Sequence, residues 1–127
     1  MTTVTRPVLR SQIGAVFVPV RDIDQARHWY AGLLGVADVP PTRHGHLAVF
    51  PMAGDGPDLV LDSRIFERPS VRDAPLFHFI ADDIDAAHAH VIGLGAEIVR
   101  PVQSGHWFTF RDPDGNVLMA CAPAVAG

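Results

Sequence analysis

The chain has 127 residues, of which 48% are hydrophobic and 19% are charged, a length and balance typical of one globular domain rather than a disordered segment. Its formal net charge of −4, without a basic run, argues against a nucleic-acid partner, and its longest apolar run is far shorter than the roughly 20 residues of a membrane span. No secretion signal is visible in residues 1–10, and the single Cys121 can form neither an internal disulfide nor a cysteine metal site. We therefore expect a cytoplasmic protein in which Cys121 is a buried apolar thiol.

Taken in chain order, the predicted elements occur twice. A strand predicted over residues 13–20 precedes the sequence DIDQA, and a strand predicted over residues 76–81 precedes DIDAA. The motif GLLG then matches GLG, and a Gly-His pair followed four residues later by Phe occurs in both halves. These landmarks keep the same order in each half, so the sequence predicts a duplicated unit.

Each unit contains one predicted helix. Asp22 and Asp83 stand where a carboxylate accepts from the free N–H groups of a helix start, and Gly35 and Gly95 stand where a left-handed residue ends a helix. Apolar residues at helical spacing form the predicted buried stripes: Ile23, Ala26, Tyr30 and Leu33 in the first helix, and Ile84, Ala87, Val91 and Leu94 in the second.

Three further strands complete each unit. They are predicted over residues 37–42, 46–52 and 58–62 in the first unit, and over residues 96–102, 106–111 and 117–122 in the second. The sequence DPDGN at residues 112–116 is a strong turn signal. The predicted fold is thus a single α+β domain of two tandem βαβββ modules, residues 12–62 and 75–123, joined by a surface linker at 63–74. The two modules turn curved mixed sheets toward a shared cleft.

This duplicated pattern resembles the vicinal oxygen chelate superfamily, which includes glyoxalase I, extradiol dioxygenases, fosfomycin-resistance thiol transferases and bleomycin-resistance proteins. The residues that carry the resemblance are Val18-x-Val20-x-Asp22-Ile23, Trp29-Tyr30, the DDIDAA sequence at 82–87 and the FRDPDGN sequence at 110–116. The resemblance covers residues 13–123. It implies the fold, but not the reaction, because this fold hosts several chemistries as well as pure binding proteins.

The resemblance also implies where a metal would be held, on the first and last strands of each unit. In this sequence those positions carry Ala15, Leu76, Met119 and one of Leu59, Val60 or Leu61. None of these side chains offers the imidazole or carboxylate that such a cation requires. We therefore expect no metal and no cofactor, as in the drug-binding members of the superfamily.

His78 is the strongest candidate for a ligand-binding residue. It shares its strand face with Leu76 and Ile80, and the equivalent residue of the first unit is Phe17, which we also assign to the binding site. The alternative is a core histidine that is hydrogen-bonded to a neighbouring carbonyl. A displaced metal site made of His78, Asp62 and His46 is a further alternative.

Four other residues complete the candidate set. Trp107 and Met119 suit a pocket wall, although both also suit plain core packing. Asp62 is expected either to anchor a cationic ligand group or to cap a turn. His46 matches His106 at the start of an equivalent strand, where a role in closing the strand is plausible. His28, His88 and His90 are expected on exposed helix surfaces.

The sequence and the resemblance together favour metal-independent binding of a small aromatic or apolar molecule, of the drug-sequestering type, by a homodimer. One alternative is a metal-dependent lyase, isomerase or dioxygenase of the same superfamily. Another is a small interaction or regulatory module with a filled cleft. Nothing in the sequence indicates a nucleophile with a positioned base or a phosphate loop.

Overall fold

The computed structural model describes residues 8–42 and 44–123, which form seven strands and two helices. In chain order these are β1 (Ala15–Pro19), α1 (Ile23–Leu34), β2 (Leu47–Phe50), β3 (Asp58–Asp62), β4 (His78–Ile80), α2 (Ile84–Gly93), β5 (Glu97–Gln103), β6 (Trp107–Arg111) and β7 (Val117–Cys121). None of the described helices is long and apolar enough to cross a membrane.

The strands form two sheets with the same internal arrangement. The first has the order β1-β3-β2 and the second β4-β7-β6-β5. In each, the first strand of the unit runs parallel to the last strand, and the last strand runs antiparallel to the one before it. The predicted duplication and the α+β fold class are confirmed.

The helix boundaries follow the predicted signals. Asp22 accepts hydrogen bonds from the N–H groups of Asp24 and Gln25 at 2.9 and 3.0 Å, and Asp83 accepts from that of Ala86 at 3.0 Å. A cap of this kind contributes about 1 kcal/mol to helix stability. Gly35 ends α1 in the left-handed conformation, with φ of 65°. The second helix ends at Gly93, slightly before the predicted stop, and Gly95 takes the left-handed conformation there.

The first module has one strand fewer than predicted. Residues 37–42 form no strand, so the prediction of a strand there is wrong. Pro40 and Pro41 have no N–H to donate to a sheet, and only the hydrogen bond from Thr42 N–H to Leu47 O, 2.8 Å long, remains of the expected pairing. The equivalent strand of the second module, β5, forms with its single Pro101 in a region where the register shifts.

One side of each sheet packs against the helix of its own module. Tyr30 on α1 and Val91 on α2 are buried, and the large rings of Phe50, Phe108 and Phe110 lie in the same continuous hydrophobic cluster. Full burial of such side chains stabilises the fold by about 1.5–3 kcal/mol each. Because side chains alternate along a strand, the residues between these core positions point away from the helices.

We call these opposite sides the first and second open faces. The first consists of Ala15, Phe17, Pro19, Leu47, Val49, Asp58, Val60 and Asp62. The second consists of His78, Ile80, Glu97, Arg100, Gln103, Trp107, Thr109, Arg111, Val117, Met119 and Cys121. Leu76 lies two residues before His78, just outside β4, and so continues the alternation on the side of the second open face.

Candidate functional site

Large apolar side chains of both open faces are exposed to solvent. Phe17 is 57% exposed on the first open face, and Ile80 is 69% exposed on the second, with Leu76 at 79% beside it. Exposed apolar groups gathered on one surface mark a site that another molecule covers. The open faces are therefore the candidate binding surfaces of this protein.

Cross-strand register places the predicted residues of the second open face in two rows. The first row runs from His78 through Met119 and Thr109 to Arg100. The second runs from Ile80 through Cys121 and Trp107 to Gln103. His78, Met119 and Trp107, predicted from the sequence as ligand-binding residues, thus share one face. Cys121 also lies on this face and is half-buried, rather than fully buried as expected.

The other predicted site residues lie elsewhere. Phe17 and Asp62 are on the first open face, and the Asp62 carboxylate accepts a hydrogen bond from Arg64 N–H at 2.9 Å. This contact is the turn-capping role, and the anchoring of a cationic ligand by Asp62 stays a prediction. His46 precedes β2 with the alternation of Ala48, which faces the helix, and its Nδ1 lies 3.2 Å from His44 O. Its own carbonyl accepts from Ser63 N–H, just as the carbonyl of His106 accepts from Ala122 N–H, so the matched pair closes equivalent strand ends.

Two helix histidines expected on exposed surfaces make specific contacts instead. The ring of His88 packs edge-on against Phe108, with centroids 5.1 Å apart. His90 is exposed, but its Nε2 donates to the carbonyl oxygen of Gly32 at 2.9 Å, near the C-terminal end of α1. An N–H donor there satisfies a carbonyl that has no partner within the helix. His28 is exposed as predicted, with its Nδ1 2.6 Å from Asp38.

Strand register also identifies the fourth implied metal position. His78 pairs with Met119, and the equivalent Phe17 pairs with Val60, so Val60 is the counterpart of Met119. The four positions are therefore Ala15, Val60, Leu76 and Met119. Among the described residues, no three His, Cys, Asp or Glu side chains converge as metal ligands, so the displaced site of His78, Asp62 and His46 is not assembled.

Two spaces in the chain differ in size and position. A cavity of about 70 Å³ lies where the modules meet, with Phe17, Leu76 and Val117 in its wall. Pockets for drug-sized ligands measure about 300–1,000 Å³. A wider crevice of about 410 Å³ next to Trp29 is lined by Arg21 and Arg111, whose charges are already engaged by Asp114 and Asp73. Phe17 is the one predicted site residue in the wall of the smaller space, which is not a complete pocket.

A buried polar network at the DPDGN turn joins the two modules. The Tyr30 hydroxyl donates to Asp112 Oδ2 at 2.6 Å, and the Asn116 amide donates to Pro19 O at 2.8 Å. Burial, followed by the charge of Asp112, raises the pKa of Tyr30 well above its ordinary value. Burial also raises the pKa of Asp114, against the opposing hydrogen bond from Arg21 N–H. Sequence analysis missed this network, because Tyr30 matches an ordinary core position of the helix stripe.

Thr109 is a second feature that the sequence did not indicate. It is 2% exposed at the centre of the second open face, and its hydroxyl has no hydrogen-bond partner among the described residues. Leaving a buried hydroxyl unpaired costs on the order of 1–3 kcal/mol. Such a group is a place where a ligand can supply the missing partner.

Two βαβ-type modules, joined at a buried turn and presenting open sheet faces, define a duplicated α+β protein of the glyoxalase type. The glyoxalase-like domain family matches residues 15–121, and the chain belongs to this family. No curated protein sequence matches the chain significantly.

Solved structures show the same fold. A glyoxalase/dioxygenase from Nostoc punctiforme is similar with a TM-score of 0.69 and 23% identity, over 98% of this chain and 99% of that one. TnmS3, an antibiotic binding protein from Streptomyces sp. CB03234, is similar with a TM-score of 0.66 and 25% identity, over 93% of this chain and 100% of that one. A glyoxalase/bleomycin resistance protein from the same organism has a TM-score of 0.63 and 29% identity, over 85% of this chain and 98% of that one. The predicted superfamily is confirmed.

Proposed function

We propose that this protein binds a small apolar or aromatic molecule on its open sheet faces, without a metal ion. The observation that carries the proposal is the set Ala15, Val60, Leu76 and Met119 at the implied metal positions. Hard and borderline cations bind oxygen and nitrogen donors, whereas these side chains suit contact with an apolar ligand.

The exposed apolar side chains support the same proposal. Phe17, Leu76 and Ile80 present hydrophobic surface that a bound apolar molecule would remove from water. TnmS3, 25% identical to this chain, is described as an antibiotic binding protein, which favours binding and sequestration over catalysis. We place this activity in the cytoplasm, as expected for a chain with a single free thiol.

A neutral aromatic probe tests the proposal. N-phenyl-1-naphthylamine fluoresces on entering an apolar site, and we expect saturable binding to protein that has been dialysed against EDTA. Ile80→Lys should weaken binding at least about tenfold, because it places a charge on the second open face. Ile92→Lys is the matched control: Ile92 is likewise exposed but lies on α2, away from the open faces, and its variant should bind as the parent does.

Absence of saturable binding in the parent would contradict the proposal. Binding that appears only when a divalent ion is added would also contradict it and would favour the metal-dependent enzyme alternative. Elemental analysis of untagged protein after dialysis against metal should find well under one ion per chain.

A further inference from the structure

The second open face carries a positive charge that no described residue pairs with. Arg111 on this face is paired with Asp73 at 2.9 Å and lies 3.6 Å from Glu97. Arg100, in contrast, is exposed and has no hydrogen bond or ion pair among the described residues. It pairs in register with Thr109 across β5 and β6.

Thr109 provides a hydrogen-bond donor directly beside that charge. Its hydroxyl is buried and has no hydrogen-bond partner in the part of the chain that the structure describes, and its cross-strand neighbours on the face are Met119 and Arg100. Both neighbours have long, flexible side chains that can shift to admit a ligand. Residues that pair across adjacent strands have Cβ atoms about 5 Å apart. The guanidinium of Arg100 and the hydroxyl of Thr109 are therefore spaced to bind one acidic group together.

The apolar side chains of Met119 and Trp107 lie beside Thr109 on the same face. Met119 is next to Thr109, and Trp107 is two residues away on the same strand. An aromatic ring lying on Met119 and Trp107 would place a substituent near Thr109 and Arg100. The alternative of a cationic ligand held by Asp62 concerns the first open face, where the Asp62 carboxylate caps the turn at Arg64.

We propose that the ligand is an aromatic molecule carrying an anionic group, with its ring on Met119 and Trp107 and its acidic group held by Arg100 and Thr109. This inference rests on the proposed binding function and adds the charge of the ligand. Arg100 supplies the charge complementarity, and the Thr109 hydroxyl donates a hydrogen bond to the anion.

Two fluorescent probes that differ by one sulfonate test the inference. 1-Anilinonaphthalene-8-sulfonate has the ring system of N-phenyl-1-naphthylamine plus the anionic group. We expect the sulfonate to bind about tenfold more tightly at low salt, and the difference to shrink as salt screens the charge. Arg100→Gln should abolish this preference, measured as the ratio of the two affinities.

Two further variants separate the residues. Thr109→Val keeps the shape of the side chain, and it should lower the ratio of sulfonate affinity to neutral-probe affinity severalfold. Arg68→Gln is the control for charge alone, since Arg68 is exposed on the linker, and it should preserve the preference.

Equal affinity of the parent for both probes would overturn the anionic assignment and leave the proposed binding function standing. A preference that survives Arg100→Gln would overturn it as well. If Arg100→Gln instead lowers the oligomer mass in light scattering, Arg100 serves a contact between copies and the assignment fails. Failure of both probes to bind the parent would reject the binding function itself.

Discussion

His78 and His90 show how neighbouring groups decide the role of a side chain. His90 donates to the carbonyl of Gly32 and so links α2 to the end of α1. His78 is exposed, and its Nδ1 lies 3.4 Å from the carbonyl oxygen of the adjacent Phe79, too far for a strong hydrogen bond. The alternative of a core histidine does not fit the exposed His78, and the role of His78 in ligand binding stays a prediction.

His78→Phe should change the free energy of unfolding by less than about 0.5 kcal/mol, because an exposed ring with no firm partner contributes little. His90→Phe, the matched control, should lose about 1 kcal/mol with its hydrogen bond to Gly32. Urea unfolding of both variants and the parent measures the difference. A loss in His78→Phe as large as in His90→Phe would show that His78 is structural.

Tyr30 is the only tyrosine of the chain, so its titration can be followed alone. The pKa of Tyr30 is raised in the folded state. The stability that comes from keeping the phenol neutral is therefore fully present below the unfolded-state pKa of about 10, and it is lost as the pH rises from there through the folded-state pKa. Ultraviolet absorbance should therefore show no phenolate in the folded protein at pH values where free tyrosine ionises. Ionisation near pH 10 without unfolding would contradict the buried bond to Asp112.

Tyr30→Phe should cost about 1.5–3 kcal/mol, as expected for a hydrogen bond to a carboxylate. Thr109→Val is the control, since it removes a buried hydroxyl that has no partner among the described residues and should not destabilise the fold.

At the scale of elements, the two modules differ in their second strand and in their contacts with the linker. Pro40 and Pro41 prevent the second strand of the first module, whereas β5 forms in the second. The linker is held against the second module by Arg111, which donates to Ser70 O and Arg72 O. Gly115 lies directly beneath this linker in the DPDGN turn.

Gly115→Ala should destabilise the protein by about 1–3 kcal/mol. Gly115 has φ of 89°, and an added Cβ would lie 3.2 Å from Pro69 Cβ. Gly93→Ala is the control at the end of α2, where an added Cβ meets nothing within 4 Å, and it should be neutral or stabilising by up to about 1 kcal/mol. Thermal unfolding of the two variants gives the comparison, and a stable Gly115→Ala protein would contradict the close packing of turn and linker.

At the scale of the whole molecule, one chain leaves both open faces uncovered. The cavity of about 70 Å³ between the modules is too small for a drug-sized ligand, and β1 and β4 are the outermost strands of their sheets. Exposed strand edges and apolar faces are surfaces that association covers. A second copy of the chain is the partner we expect to complete the ligand-binding site.

Light scattering should therefore give twice the mass of one chain at micromolar concentration. Leu76→Lys should shift the mass toward a single chain, whereas Val71→Lys, on an equally exposed linker position, should leave the dimer intact. A parent protein with the mass of one chain would rule out the homodimer.

The sequence by itself determined the duplication, the helix caps at Asp22 and Asp83, and the alternation that puts His78, Met119 and Trp107 on one face, because these depend on local backbone preferences and short-range periodicity. Together with the family resemblance, it also showed that Ala15, Leu76 and Met119, at implied metal positions, offer no imidazole or carboxylate to a cation. Only the tertiary structure decided that Val60 is the fourth such position, that Tyr30 donates to Asp112, and that Thr109 is buried beside Arg100, which has no ion pair among the described residues. These relations join residues far apart in the chain, and their register and burial arise from how the strands and modules pack.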